Sequence, residues 1–472
     1  MTEEFSVLEK ASLLSGKNTW QSRDLPNKGV RSIFFSDGPH GVRKQVGSSD
    51  HLGLNASEPA TCFPTAATVA NSWDPQLGEE IGVALGIEAA SLQIDVLLGP
   101  GLNIKRSPLG GRNFEYFSED PYLSGKLAAG YVRGIQSTGV AATPKHYAAN
   151  SQETRRMASD SVVDERTLRE IYLTGFEIAV REAHPRALMS SYNLVNGTYA
   201  NENEHLLTEI LRQEWGFDGL VVTDWGGGND PVAGAAADSS IEMPSPGLEP
   251  VRLLATAVAN GTLSRAALDA RAGEVLAMAR STSPSVTEFN VPEHNELARR
   301  AAEQSMVLLR NEGALLPLRP GTKVALIGDM AQTPRYQGAG SSVVNPTMLV
   351  SARETIGDTE LELVGFGLGY RRNSPRNAEL EDAAVALAAK AEVAILFLGL
   401  DEVAESEGRD RDHLKIPAAQ VSLLRAVAKV NPNVVVVLSA GSAVEMPWID
   451  DTTALLHKVT QEHSIGVTTN VP

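Results

Sequence analysis

Short apolar runs that end abruptly in polar, chemically competent residues recur through the first half of the chain. Val30 to Phe35 runs into Asp37, Val140 to Thr143 into Lys145 and His146, Ala187 to Ser191 into Tyr192 and Asn193, and Gly219 to Val222 into Thr223, Asp224 and Trp225. Each run reads as a buried strand, and a carboxylate followed by glycines at a strand's carboxyl end faces a cleft rather than a core. Helix patterns separate the runs up to about residue 282, the rhythm of βαβ units around a parallel sheet. Strand ends gathered on one face fit a TIM-barrel-like (β/α)8 domain, whose top face supplies catalytic and binding groups.

The helix patterns carry their own punctuation. Trp73-Asp74-Pro75 and Glu119-Asp120-Pro121 each place an Asp N-cap before a Pro at the first helical position, predicting helices over 76–92 and 122–136. A third pattern over 164–182 sends Leu168, Ile171, Tyr172, Phe176 and Ala179 toward the core at helical spacing. A polar, irregular stretch begins at Ser281. After it, Lys323 to Gly328, Val393 to Gly399 and Asn433 to Leu438 are near-continuous apolar runs, as in strands buried on both faces, with helix patterns over 383–391 and 418–430 between them. A chain of 472 residues exceeds what one core organises, so two units are expected. They are a barrel domain over 1–282, a linker over 283–300, and an α/β sandwich with a mostly parallel sheet over 301–472.

Composition narrows the function. A formal charge of −17 opposes binding to nucleic acid or anionic membrane but does not penalise neutral substrates. No apolar run reaches the length that spans a bilayer, and the acidic start, Met1-Thr2-Glu3-Glu4-Phe5, is unlike a signal peptide, which points to the cytoplasm. The single cysteine, Cys62, has no partner for an intrachain disulfide and no metal-ligand spacing around it, so it reads as a small buried residue. Gly338-Ala339-Gly340-Ser341-Ser342 starts like a dinucleotide fingerprint but lacks the third glycine and the flanking strand and helix. No Walker loop, His-Glu-x-x-His or Gly-x-Ser-x-Gly is present. Neither a cofactor nor a metal is expected, and carboxylate chemistry remains.

Glycoside hydrolysis uses two carboxyl groups, one as nucleophile or base and one as acid. Asp224 fits the first. Glu402, Glu405 and Glu407, in the polar segment after the run Val393 to Gly399, are candidates for the second, because ligands bind beyond the carboxyl ends of strands in open α/β sheets. A charge run of this kind also fits a solvated surface.

Five separate motifs then make the chain similar to a known family. Asp37-Gly38-Pro39-His40-Gly41-Val42-Arg43, Gly101-Leu102-Asn103-Ile104 with Arg112-Asn113-Phe114-Glu115, Lys145-His146-Tyr147-Ala148-Ala149-Asn150, Ser191-Tyr192-Asn193 and Val222-Thr223-Asp224-Trp225 resemble, in order and spacing, those of family 3 glycoside hydrolases, bacterial β-glucosidase branch. The resemblance implies a retaining β-glucosidase that releases nonreducing-end β-D-glucose from oligosaccharides or glycosides. It implies Asp224 as nucleophile and, in the segment Glu405-Ser406-Glu407-Gly408-Arg409-Asp410-Arg411, Glu407 as acid/base, roughly 5 to 5.5 Å from Asp224. Asp37 would accept hydrogen bonds from sugar hydroxyls, and Arg112, Lys145 and His146 would donate them. Arg156, with the adjacent Arg155 as the alternative match, would also reach the sugar, and Tyr192 would hydrogen-bond and orient Asp224. Met189 belongs to the sugar pocket or merely packs, and Trp225 is either a stacking platform or a core aromatic. Arg112 with Glu115 also reads as a structural salt bridge, and His146 as an interior histidine.

Two departures stand out. Glu242-Met243-Pro244 is kept, but 236–241 is less regular than in similar enzymes. The match fades after Trp448-Ile449-Asp450-Asp451 and Ala454-Leu455-Leu456 into a polar tail from Thr460 to Pro472, so the second domain is expected to be incomplete. An unfinished sheet would expose apolar surface, loosen, or recruit a partner chain such as a second copy. The alternative reading is a truncated carbohydrate-binding remnant, impaired or inactive as a catalyst.

Overall fold

The computed structural model describes residues 4–47, 55–285 and 288–458, so the first residues, Met1 to Glu3, and the tail from Thr460 to Pro472 lie outside the described residues. The first unit carries β1 Phe35–Asp37, β2 Val96–Leu98, β3 Ala141–Ala142, β4 Ala187–Met189 and β5 Leu220–Val222; β3, β4 and β5 lie within predicted apolar runs, β1 begins at the last residue of its run, and β2 was not among them. β1, β2 and β3 pair in parallel, as do β4 and β5. The segment after β3 joins the two groups, since the Tyr147 N–H donates to the Met189 carbonyl at 2.8 Å and the Met189 N–H to the Pro144 carbonyl at 3.1 Å.

The ring closes through backbone that carried no strand pattern. Ile241 bridges β5 in parallel, Glu242 bridges Ser15, and Gln21 bridges Phe34 antiparallel after a turn that pairs Gly16 with Ser22. The domain is therefore barrel-like, with a hairpin rather than a βα unit as its closing piece. Side chains alternate along the staves with period two. Leu97, Ala142, Leu188 and Val221 join one cluster with the helices Pro75–Ser91, Pro121–Gln136 and Thr174–Ala183, while Val96, Leu98, Ala141, Met189 and Val222 join another with Phe35 and Trp225.

Two helix starts follow the caps read from sequence: Asp74 accepts from the Gln76 N–H, and Asp120 from those of Tyr122 and Leu123. The third helical stretch differs. Leu168–Leu173 winds as a π-helix, whose i→i+5 pairing advances the buried face by five residues, from Leu168 to Leu173. Ile171, expected in the core, is consequently 36% exposed, and Leu173 is fully buried in its place.

The second unit is built on six strands among the described residues: β6 Val307–Asn311, β7 Lys323–Ile327, β8 Glu362–Gly367, β9 Val393–Gly399, β10 Val434–Ser439 and β11 Ala454–Lys458. Their order is β6-β11-β10-β9-β7-β8, parallel throughout except for the edge pair β6 and β11. β9 and β10 are buried along their whole lengths, and separate apolar clusters cover the two faces. Exposed large apolar side chains sit on the two edge strands, Leu308 and Leu309 on β6 and Leu363 on β8.

Part of the expected linker, 283–300, is regular structure. From Val291 it is a helix, Val291–Gln304, capped by Asn290 and seated through Ala298 and Ala301 on the barrel's cluster. Polar residues on its outer face masked three buried alanines at i, i+3 and i+4 in the sequence. His294 Nδ1 lies 2.6 Å from Glu88 Oε1 on the barrel helix Pro75–Ser91, and Asn345–Pro346 adds a parallel pairing to Pro59–Ala60. These contacts fix the second unit over the strand ends.

Candidate active site

Each strand end delivers a functional side chain to one buried cluster. Asp37 closes β1, Arg112 and Glu115 lie on the loop after β2, Lys145 and His146 follow β3, Tyr192 follows β4, and Asp224 with Trp225 follows β5. Lys145 Nζ lies 3.6 Å from Asp37 Oδ1 and 3.4 Å from Glu115 Oε1, and Arg43 Nη1 is 3.8 Å from Asp37 Oδ2. Arg112 donates to both oxygens of Glu115, at 2.8 and 2.9 Å. The salt bridge that the sequence offered as a structural alternative therefore exists, and it holds Arg112 inside the cluster rather than removing it.

His146 is fixed on three sides. Asn103 accepts its backbone N–H at 2.7 Å and donates to its carbonyl at 2.8 Å, Tyr116 Oη lies 3.1 Å from Nδ1, and Nε2 is 3.4 Å from Asp224 Oδ2. Burial, then Arg112, Lys145 and Arg156, push the imidazole well below its ordinary pKa, so it stays neutral. Asp224 Oδ1 accepts the Trp225 N–H at 2.8 Å, whereas Oδ2 is buried with no hydrogen-bond partner among the described residues. A carboxylate oxygen left with unshared lone pairs in a polar cluster is available to an electrophile.

Of the three candidate carboxylates on the second unit, the loop after β9 sorts them by partner. Glu402 pairs with Arg372 at 2.8 Å, and Glu405 is wholly buried against Arg335, the Gly441 N–H and Ser442. Glu407 turns to the barrel. Its Oε1 is 2.7 Å from Arg156 Nη1 and 3.7 Å from Arg112 Nη1, and its Oε2 accepts the Ser341 N–H at 2.7 Å. Burial raises Glu407, but the two guanidiniums and Ser341 outweigh it and hold the carboxyl well below its usual range. Asp224 moves the other way, burial exceeding the pull of Arg112 and Arg156. Burial likewise pushes Asp37 up to about 6 against Lys145 and Arg43.

Other expected residues take distinct places. The guanidinium of Arg156 lies 4.6 Å from the Tyr192 ring centroid. Tyr192 does not hydrogen-bond Asp224 as expected; its Oη donates to the Trp225 carbonyl at 3.1 Å, because the peptide after the carboxylate faces it. Trp225 packs against Trp20 and Phe35, with Nε1 donating to the Thr19 carbonyl at 2.7 Å, and Met189 lies in the same apolar cluster. Among the described residues no group of His, Cys, Asp and Glu side chains has the geometry to hold a metal, and no helix is long and apolar enough to cross a membrane.

With this geometry in hand, residues 47–278 match the glycosyl hydrolase family 3 N terminal domain, and residues 306–466 match the glycosyl hydrolase family 3 C-terminal domain. The chain belongs to glycosyl hydrolase family 3. It is 47% identical to thermostable beta-glucosidase B of Acetivibrio thermocellus over 98% of its own length, and 43% identical to an exo-alpha-(1->6)-L-arabinopyranosidase of Bifidobacterium longum over 96%. It spans 62% of the length of each of these relatives. Among solved structures, the family 3 beta-glucosidase of Bifidobacterium adolescentis superposes with a TM-score of 0.92 at 42% identity, covering 98% of this chain and 67% of that one. Beta-glucosidase 3B of Thermotoga neapolitana in complex with glucose gives a TM-score of 0.87 at 32% identity, covering 96% and 70%.

Sequence reasoning missed several members of this family 3 cluster. Ser341 sits in the glycine-rich stretch set aside as a weak nucleotide signature; Gly340, at φ +125°, lets its N–H reach Glu407, and a Cβ there would lie 2.4 Å from that of Glu407. Glu153, 2.7 Å from Arg156, is pushed by burial up to about 7 despite Arg112 and Arg156. Its spacing to Arg156, three residues, was the available signal.

Proposed function

We propose that this family 3 member is a retaining β-glucosidase that removes nonreducing-end β-D-glucose from oligosaccharides or glycosides. The observation that carries the reading is the buried Oδ2 of Asp224, which has no hydrogen-bond partner among the described residues, in a cluster that also contains Glu407, a carboxylate from the other unit. In the first step Asp224 Oδ2 forms a bond to the anomeric carbon while the bond to the glycosidic oxygen breaks, and the Glu407 carboxyl gives that oxygen its proton. In the second step water attacks the same carbon, Glu407 takes the water's proton, and Asp224 leaves, which restores the starting configuration. Sugar hydroxyls that engage Arg112 and Arg156 draw those donors from Glu407, raising its pKa toward that of a proton donor. Asp37, Lys145 and His146 grip the vicinal hydroxyls by charge-assisted hydrogen bonds, with His146 as a neutral donor.

The relatives named above support glucose as the first glycone to try. The arabinopyranosidases support a second, an α-L-arabinopyranoside, which lacks the C6 hydroxymethyl group and carries its 4-hydroxyl axially where glucose has it equatorial. Hydrolysis of 4-nitrophenyl β-D-glucoside and 4-nitrophenyl α-L-arabinopyranoside, with Asp224→Asn as control, tests the proposal. Release of nitrophenol from the glucoside that vanishes in the control supports it. Binding of glucose without turnover by the unaltered chain would make the protein a sugar-binding remnant.

A further inference from the structure

The loop that bears Glu407 belongs to the second unit, yet what fixes it against the barrel is a residue three positions further on. Asp410 Oδ1 accepts the Gly111 N–H at 3.1 Å and the Glu153 N–H at 3.0 Å, and Oδ2 accepts the Thr154 N–H at 2.8 Å. The two barrel loops so engaged are those that carry Arg112 and Arg156, the cations paired with Glu407. Glu153 reciprocates, its Oε2 accepting the Gly408 N–H at 2.8 Å, and the Arg411 N–H donates to the Leu109 carbonyl at 2.8 Å. The approach is so close that a Cβ on Gly111 would lie 1.8 Å from the Arg409 carbonyl oxygen and 2.4 Å from that of Ser406. On its other side the loop is tied to its own unit, Ala339 exchanging backbone hydrogen bonds with Glu405 and Glu407 at 3.1 and 2.9 Å.

We propose that Asp410 is a positioning residue for the acid/base: it locks the Glu407 loop to the two barrel loops that hold Arg112 and Arg156, and so sets where the Glu407 carboxyl meets the glycosidic oxygen. The inference rests on the reading of Glu407 as acid/base. Three backbone donors aimed at one carboxylate make strong, directional bonds. Burial opposes the charge on Asp410, but the N–H groups of Thr154, Glu153 and Gly111 prevail and keep it ionised. Misplacement of a catalytic group by about 1 Å costs on the order of 10²-fold in rate, and here the loss falls on the step that needs a proton.

The test compares Asp410→Ala, Asp410→Asn and Glu407→Ala on two substrates, 2,4-dinitrophenyl β-glucoside, whose leaving group needs no proton, and methyl β-glucoside, whose leaving group does. Asp410→Ala is expected to lose about 10²-fold in kcat/KM on the methyl glucoside and less than about threefold on the dinitrophenyl glucoside. Asp410→Asn, which keeps an acceptor of the same shape, should fall between and serves if the alanine variant does not fold. Adding Asp410→Ala to Glu407→Ala should cost the methyl glucoside little more, as for groups acting in one unit. Equal losses on both substrates, or none, would overturn the positioning role. If Glu407→Ala itself shows no preference between the substrates, and azide yields no glucosyl azide, the acid/base reading fails instead, and the inference with it.

Discussion

Replacing Arg156 by methionine should carry the pH profile of hydrolysis toward alkali. Arg156 Nη1 lies 2.7 Å from Glu407 Oε1, with side chains only 12% and 8% exposed. Unit charges about 4 Å apart at an effective dielectric constant near 20 interact by about 4 kcal/mol, which corresponds to roughly three pKa units. Arg112 remains in the variant, and water entering the vacated space screens part of the change, so an upward shift of about one to three units is expected for the pair. The sign follows from the charge: a lost cation stabilises the carboxylate less, so Glu407 keeps its proton to higher pH, and Asp224, which also loses a favourable neighbour, moves the same way by a smaller amount. The two limbs of kcat/KM, which report the free enzyme, belong to the coupled pair, and both move up. The assay is kcat/KM for an aryl β-glucoside between pH 4 and 9 for the native chain, Arg156→Met and Arg156→Lys. Arg156→Lys keeps the charge and should leave the alkaline limb near its native place. An alkaline limb that stays put in Arg156→Met while KM rises would mean that Arg156 serves only the sugar.

Four more outcomes are expected. A 2-fluoroglucoside should leave one glycosyl adduct on the peptide containing Asp224, with β-glucose as the first product by NMR; α-glucose first would refute retention. Truncation by Asp37→Ala should lower kcat as well as raise KM, because binding to remote hydroxyls is used in the transition state, and unchanged kinetics would move Asp37 out of the site. Glu153 has a folded-state pKa raised to about 7 from 4.5, so its protonated form favours folding and that contribution is lost as pH rises from about 4.5 through 7. Glu153→Gln should therefore flatten the urea midpoint across that window, and an unaltered slope would contradict the assignment. Activity should survive exhaustive dialysis against EDTA, since two carboxyl groups suffice for the chemistry; a loss restored by a divalent ion would reveal a site the sequence does not signal.

The strand ends were legible because each joins an apolar run to polar side chains, a junction visible in the local sequence alone. The caps at Asp74 and Asp120 were legible for the same local reason, each being written within three residues. What escaped was set by partners distant in the chain. The hairpin that closes the ring pairs through isolated backbone bridges, with no alternation to mark it. Leu173 replaced Ile171 because a π turn changes the period itself. Ser341 and Glu153 act on a loop 66 and 255 residues away, through backbone hydrogen bonds that any side chain pattern hides. The sorting of Glu402, Glu405 and Glu407 required knowing where Arg372, Arg335 and Arg156 stand.

The division of the cluster between two units has a temporal side. Glu407 leaves the ribosome roughly 180 residues after Asp224, and at synthesis rates of about 5 to 20 residues per second that is a wait of about 10 to 40 s. During it the barrel can fold around Asp37, Lys145, His146 and Asp224, all of which it supplies by itself. On the proposed reading, a nascent chain at that stage holds the sugar-binding side chains without the proton donor. If Glu407 is the acid proposed above, hydrolysis of glycosides whose leaving group needs a proton waits until the loop after β9 docks.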